Sequence, residues 1–478
     1  MKFLNDSVIN YDLTYNDVFL IPSFSDVGSR FSVDLTPKDN IGTHIPIVVA
    51  NMNAVSGRRM AETVARRGGI AILPQDIPFS RLQSMIAQIK SASPVYETPL
   101  VLKTSNVVAD ALNIINKRSH GVVLIVNEEN VPVGLISEKD ALEVDRFASL
   151  DTFINPGLIS LTQNLSPKEM YERLYDNHIN AAPVVDENGK LAGIMTQKSA
   201  LRASLYKPAL SKDNKLMVGV AVGVNGDVKS KVEKIISYGA DVIVMDTAHG
   251  HQQKMIDAIK TARSISNEIT IVAGNVVTAQ ATNDLISAGA NIVKVGVGPG
   301  AMCITRMMTG VGRPQFSAVL ECAAVAKSRG AQIWADGGIK YPRDVALAIA
   351  AGASAVMIGS WFSGTFESAG DILRDEGGLY KENWGMASKR AVQSRSQDNH
   401  PYDRSLKEFF EEGISNSKLY LNDKTPGVED IIDQITSGLR SSMSYAGADS
   451  LEDFSNKAIV GIQSAAGYEE GKAVNSNW

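Results

Sequence analysis

DVIVMDTAHGHQQKMIDAIKTARSISNEITIVAGNVVTAQATNDLISAGANIVKVGVG, residues 241–298, holds three short apolar runs separated by two segments of a different period. The runs DVIVMDT (241–247), TIVAGNV (270–276) and NIVKVGVG (291–298) are nearly continuous and rich in β-branched residues. That pattern suits parallel strands covered on both faces, whereas a half-solvated strand would alternate apolar with polar. Between them, QKMIDAIKTARSI and TAQATNDLISAGA return apolar residues every three or four positions, the period of a helix with one buried face. Strand, helix, strand, helix, strand is the repeating unit of parallel α/β architecture.

Working outward, the same strand pattern recurs as IPIVVANM (45–52), GIAILPQD (69–76) and MVGVAVG (217–223) on one side and as QIWADGG (332–338) and SAVMIGS (354–360) on the other. Eight strands of this kind predict a closed (β/α)8 TIM barrel in preference to an open doubly wound sheet. The gap between the second and third runs is far too long for one crossover, so residues 94–206 read as an inserted domain, leaving 1–93 and 207–478 to the barrel. The insert repeats itself: GVVLIVNEENVPVGLISEKDA (121–141) aligns without gaps to NAAPVVDENGKLAGIMTQKSA (180–200). Each copy reads as strand, turn, strand and helix start, a unit that leaves an apolar face bare unless it packs on its twin. Beyond the last strand, residues 379–427 show weak periodicity and read as a long irregular flap. Helical patterning returns at GVEDIIDQITSGLRSSMSYAGA.

Composition narrows the partners. In 478 residues, 47 Lys and Arg stand against 52 Asp and Glu, a formal net charge of −5, and no basic stripe with interleaved aromatics occurs. Nucleic acid is therefore not an expected partner. Two cysteines, Cys303 and Cys322, cannot make a disulfide framework and fit a reducing compartment. The N-terminus lacks an apolar signal core and no apolar run approaches the roughly 18 residues that span a bilayer, so a soluble cytoplasmic protein without membrane contact is expected.

Three loops at predicted strand ends carry candidate chemistry. KVGVGPGAMCITR, from Lys294, ends a strand in Gly296, Gly298 and Gly300 and then presents Cys303 before a helix near Phe316. Glycine-rich backbone can turn carbonyls toward a cation or amides toward an anion, and a cysteine there is a candidate nucleophile; an ordinary turn with a bystander thiol is the plainer alternative. Asp336-Gly337-Gly338-Ile339 offers a carboxylate for vicinal ribose hydroxyls, and with Ile358-Gly359-Ser360 it forms the phosphate site that barrels build after strands seven and eight. A nucleoside monophosphate is thus favoured over a neutral substrate, glycines that only permit close strand-to-helix packing being the plainer alternative. His249 and His251 could line a cofactor pocket or simply sit in a surface loop, and no metal cluster is readable. Cys322, Trp334 and Trp361 read as packing residues.

In order along the chain, DLTYNDVFLIP, VVANMNAV, MDTAHG, AGNVVT, GVGPGAMCITR, ADGGI, IGS, WGMAS and LRSSMSYAGA resemble the IMP dehydrogenase and GMP reductase family, and the repeated insert resembles a tandem cystathionine-β-synthase (CBS) pair in that family's position. The resemblance implies a catalytic thiol at Cys303, with Thr305 and Glu412 moving protons. It implies nucleotide contacts at Asn275, Asp336, Gly338, Gly359, Ser360 and Met386, and nicotinamide contacts at Asp246, Thr247 and Ala248. A monovalent cation, potassium, would sit on backbone atoms of Gly298, Gly300 and Cys303. It also implies a homotetramer that can pair into an octamer, with an adenine or guanine nucleotide at the CBS pair as one reading and two purely structural repeats as the other.

Departures from the family pattern matter. Ala301 stands where the family has a phosphate-binding serine, Asn383 where the flap has a tyrosine, and Ser199 where the second CBS copy would carry the aspartate that the first keeps as Asp140. The dehydrogenase hydrolyses its covalent intermediate with an Arg-Tyr pair, but Arg404 is followed by Ser405 and no Arg-Tyr dipeptide occurs there. The residues therefore favour reductive deamination of GMP to IMP and ammonia with NADPH (NADH or NAD remaining open) over oxidation of IMP to XMP, with a non-catalytic nucleotide sensor as the remaining alternative.

Overall fold

The computed structural model describes residues 1–472 apart from 7–9, 396–401, 403–412 and 423. Its centre is a closed barrel of eight parallel strands: β1 (Ile47–Val49), β2 (Ile70–Leu73), β3 (Gly219–Val222), β4 (Val242–Asp246), β5 (Thr270–Val276), β6 (Ile292–Val295), β7 (Gln332–Asp336) and β8 (Ala355–Ile358). They pair in chain order and β8 pairs back to β1, so no strand edge is left bare.

The near-continuous apolar runs resolve into two faces of period two. Ile70, Ile72, Val242, Val244, Val272, Ile292, Trp334 and Met357 form the packed barrel interior. Ala71, Leu73, Ile243, Met245, Ile271, Ala273, Val293 and Ile333 face the helices and share a cluster with Met60, Ile86, Ile259, Leu285 and Phe316. Burying one such aliphatic or aromatic side chain stabilises the fold by roughly 1.5–3 kcal/mol. Trp334 does more than pack: its indole N–H donates to Asp39 Oδ2 at 3.3 Å, satisfying the polar atom of a fully buried ring.

Seven helices follow the first seven strands, and the eighth position is filled late. After β8 the chain makes the flap and then returns as helix Val428–Tyr445, which lies between helices Pro342–Ala350 and Arg58–Arg66. The flap is more regular than its sequence suggests: Leu373–Asp375, Gly378–Asn383 and Ser417–Tyr420 form a three-stranded antiparallel sheet. Each strand is short and the second and third are far apart in sequence, so the pairing leaves no local periodic signature.

Within 94–206 the two repeats fold alike. Val101–Lys103, Val122–Val126 and Pro132–Ser137 make one three-stranded sheet, and Leu161–Thr162, Ala181–Val185 and Leu191–Thr196 make another. Their bare faces meet: Val122 and Leu124 of the first unit cluster with Ile194 of the second, with Leu135, Ala181 and Leu191 packed around them. Among the described residues no helix is long and apolar enough to cross a membrane.

Candidate active site

The strand alternation that builds the barrel interior also builds the site. Continuing the inward series past Val244, Ile292 and Trp334 reaches Asp246, Lys294 and Asp336, each two residues further toward the C-terminal mouth. Lys294 is 2% exposed. Its Nζ lies 2.6 Å from Asp336 Oδ2 and 2.9 Å from Asp246 Oδ1. Burial alone would strip the proton from a lysine, but the two carboxylates outweigh it and hold the ammonium well above the ordinary lysine range.

Asn51 Nδ2 donates to Asp246 Oδ2 at 2.8 Å, and Asn275 Nδ2 donates to Asp336 Oδ2 at 2.9 Å and to the Gly296 carbonyl at 2.7 Å. Asn275 Oδ1 is buried and meets no donor among the described residues. Room for the lysine comes from Gly274. Asp246, Gly274 and Lys294 are register partners across β4, β5 and β6, and a Cβ on residue 274 would lie 2.4 Å from the Lys294 carbonyl oxygen and 2.7 Å from its Cβ.

Cys303 follows in the glycine-rich loop after β6. Its N–H donates to the Gly300 carbonyl at 3.1 Å, which tightens the loop, and its Sγ donates to Thr305 Oγ1 at 3.2 Å. The loop is stitched to the flap: residues 303 and 413 form a bridge, Ile414 N donates to Met302 O at 3.0 Å, and Gly385 N donates to Ile414 O at 2.9 Å. On the other side the loop packs on Gly337 and Gly338, whose φ angles of +90° and +80° are ones that side chains rarely adopt. A Cβ at 337 would meet Pro299 and the Gly300 backbone at 3.0 and 3.2 Å.

These pieces line one cavity of about 1,920 Å³. It takes in Cys303, Thr305, Asn275, Asp336, Gly338, Gly359, Ser360, Met386, Asp246, Thr247, Ala248, Gly298 and Gly300, so every sequence-identified site residue within the described structure lies on a common wall. Glu412 and Arg404 fall outside the described residues. A single small-ligand pocket occupies about 300–1,000 Å³, so this volume suits two ligands side by side. The cavity runs on from Asp246 across the loops after β3 (Gly223–Gly226) and β2 (Gln75–Phe79), where Arg58, Arg81, Lys117 and Lys231 add positive charge.

His249 and His251 do not line it; His251 Nε2 lies 2.9 Å from Asp284 Oδ2 instead. Cys322 is buried in helix Gln315–Ser328, where burial pushes its thiol up to about 11 and keeps it protonated. Asn383 is buried behind Ser360 and its Nδ2 donates to Ser360 Oγ at 3.4 Å, leaving the serine hydroxyl hydrogen to point elsewhere. Trp384 also lines the cavity, with the Arg390 guanidinium 3.9 Å from its ring centre and held by Glu382 at 2.8 Å. Sequence reading missed Lys294, Asn51, Trp384 and Arg390. For Lys294 the signal was present: a charged residue at an inward position of an otherwise apolar run.

Among the described residues no group of three His, Cys, Asp or Glu side chains could hold a metal ion. In the loop after β6 the Gly300 carbonyl is engaged by Cys303 N–H, and backbone carbonyls offer a cation neutral oxygens only.

Residues 12–473 match the model of the IMP dehydrogenase / GMP reductase domain. The chain is 52% identical over the full length of both chains to GMP reductase of Mycobacterium tuberculosis strain H37Rv. It is 37% identical to inosine-5′-monophosphate dehydrogenase of Bacillus subtilis strain 168, over 96% of this chain and 94% of that protein. Among solved structures, a GMP reductase variant from Trypanosoma brucei in complex with guanosine 5′-monophosphate superposes with a TM-score of 0.70 at 32% identity, covering 98% of each chain.

Proposed function

From the fact that this chain belongs to the IMP dehydrogenase / GMP reductase family, we infer that it is an oxidoreductase that converts GMP to IMP and ammonia. Its full-length likeness to GMP reductases exceeds its likeness to the dehydrogenases. The observation that carries the reading is the shared cavity: a thiol hydrogen-bonded to a hydroxyl opens onto a space large enough for a nucleotide and a nicotinamide dinucleotide together.

The chemistry follows from the groups present. Cys303 Sγ passes its proton toward Thr305 and attacks C2 of the purine, forming a C–S bond. The C2–N2 bond then breaks, and the departing amine takes a proton along the Thr305 path, to which Glu412 contributes. C2 then accepts the hydride that NADPH, held against Asp246, Thr247 and Ala248, would supply, after which the C–S electron pair returns to sulfur and IMP leaves. Asp336 receives the ribose hydroxyls, and Gly338, Gly359 and Ser360 receive the phosphate, with Asn383 orienting the Ser360 hydroxyl as a donor. This arrangement makes good the loss of the family's serine at Ala301. Met386 and Asn275 border the base. Asp246, Thr247 and Ala248 bear the nicotinamide riboside, and the basic far arm of the cavity supports a phosphorylated dinucleotide, hence NADPH over NADH.

Potassium on the carbonyls of Gly298, Gly300 and Cys303 would brace the thiol's loop. The insert is a tandem CBS pair able to bind a purine nucleotide, and the assembly is a tetramer that can pair into an octamer. In the second repeat Ser199 is buried and its hydroxyl is already bonded to Glu97, whereas in the first Asp140 is exposed and caps its own helix through Ser137. Any such nucleotide therefore meets two unlike half-sites. Sedimentation with and without ATP or GTP tests that assembly.

The function itself is tested by following nicotinamide absorbance with GMP plus NADPH and, separately, with IMP plus NAD. Turnover in the first mixture is expected, and turnover confined to the second would reverse the assignment. Repeating the first with NADH, and with potassium replaced by N-methylglucamine, tests the cofactor and cation.

A further inference from the structure

A cation buried between two carboxylates at a barrel mouth needs a reason, because the pair interactions only offset what the charges lose on leaving water. Lys294 projects from the inward face of β6 and reaches Asp246 on β4 at 2.9 Å and Asp336 on β7 at 2.6 Å. Reaching β4 means passing over β5, and β5 presents Gly274 at that register position, where any side chain would collide with Lys294. Amides from opposite sides of the mouth steer the two carboxylates: Asn51 donates to the second oxygen of Asp246, Oδ2, and Asn275 donates to the same Asp336 Oδ2 that Lys294 holds. The five side chains form one hydrogen-bonded band, Asn51–Asp246–Lys294–Asp336–Asn275, and all five border the cavity.

We propose that Lys294 is a positioning residue that clamps Asp246 and Asp336 into one rigid unit, so that the nucleotide ribose and the nicotinamide ribose are received by carboxylates sharing a single counter-ion. This rests on the placement of GMP against Asp336 and of NADPH against Asp246 given above. Without the clamp each carboxylate would swing, or take up water, before it could accept two sugar hydroxyls, and both ligands would bear that ordering cost on binding. The proposal separates Lys294 from its neighbours: either aspartate serves one ligand, while the lysine serves both.

The test compares four variants in steady-state kinetics and in calorimetric binding of GMP and of NADP⁺, with thermal melting to confirm folding. Asp336→Asn should weaken GMP selectively and Asp246→Asn the cofactor selectively, each about tenfold, the scale of one hydrogen bond to a charged group. Lys294→Met should weaken both by about tenfold while kcat at saturation falls much less. Lys294→Arg, which keeps the charge, should recover part of both. A merely structural lysine would lower the melting temperature without moving the two dissociation constants together. Should Lys294→Met not fold, Lys294→Gln, whose shorter, neutral side chain cannot act as the shared counter-ion, must still shift both constants. Folded Lys294 variants that bind both ligands normally, or that lose only one, would overturn the clamp. If instead the aspartate variants show no ligand selectivity, the assignment of the two subsites fails, and the two failures are distinguishable.

Discussion

At the residue scale the account turns on Cys303 and the group beside it. The Cys303 Sγ to Thr305 Oγ1 contact of 3.2 Å gives the thiol a route for its proton. Cys303→Ala should therefore abolish turnover while leaving the melting temperature within a degree or two of the parent, since the side chain is only partly buried and packs in no core. Thr305→Ala should keep nucleotide affinity but cut kcat by about 10²-fold or more, the range of a lost acid–base partner. Both outcomes are read from kinetics alongside calorimetric GMP binding. Cys303 could be picked out in the sequence because three glycines frame it at a strand end. Lys294 was not, because a run read as uniformly apolar hides its one charged member; counting in twos from Ile292 places it on the inward face.

At the element scale the barrel strands were legible and the flap sheet was not, for one physical reason. A parallel strand covered on both faces writes its burial into consecutive residues, so eight runs such as DVIVMDT announce themselves. The flap strands are exposed on one side, and Gly378–Asn383 takes its register from Ser417–Tyr420, a distant stretch that no local window includes. The barrel's own register has a sharper consequence at Gly274, where a methyl group has nowhere to go between β5 and β6. Gly274→Ala should destabilise the protein by about 1–3 kcal/mol, the usual cost of overpacking, and should weaken cofactor binding by displacing Lys294 from Asp246. Urea unfolding and NADP⁺ titration measure the two effects, and a variant unchanged in both would contradict the register argument.

At the scale of the whole molecule the insert is fastened to the barrel by buried charge. Arg202 of the second repeat contacts Glu429, Asp430 and Asp433 on helix Val428–Tyr445 at 3.2, 2.6 and 2.7 Å, and Arg67 of the barrel contacts the same Glu429 at 2.5 Å. Arg202→Ala would leave Glu429 buried with half its compensation, so a loss of about 3–5 kcal/mol is expected, with faster proteolysis within residues 94–206. Glu97 lies in the same seam, and burial, reinforced by Glu429, pushes its carboxyl well above the ordinary glutamate range. The folded protein then holds that proton more tightly than the unfolded chain. Its contribution is fullest at pH below the ordinary glutamate value and ebbs as the pH rises through the folded one. Glu97→Gln should flatten this decline in melting temperature between pH 5 and neutrality; an unchanged slope would mean that another group governs it. The internal repeat was legible in the sequence, but this seam was not, since its ion pairs join residues from three separate stretches of chain.

The most direct test of the whole account is mass spectrometry of acid-quenched enzyme incubated with GMP and NADP⁺, where hydride is withheld. The account predicts release of ammonia and a purine nucleotide adduct on the peptide that carries Cys303. Ammonia release with no adduct on that peptide, or an adduct that persists in Cys303→Ala, would contradict it.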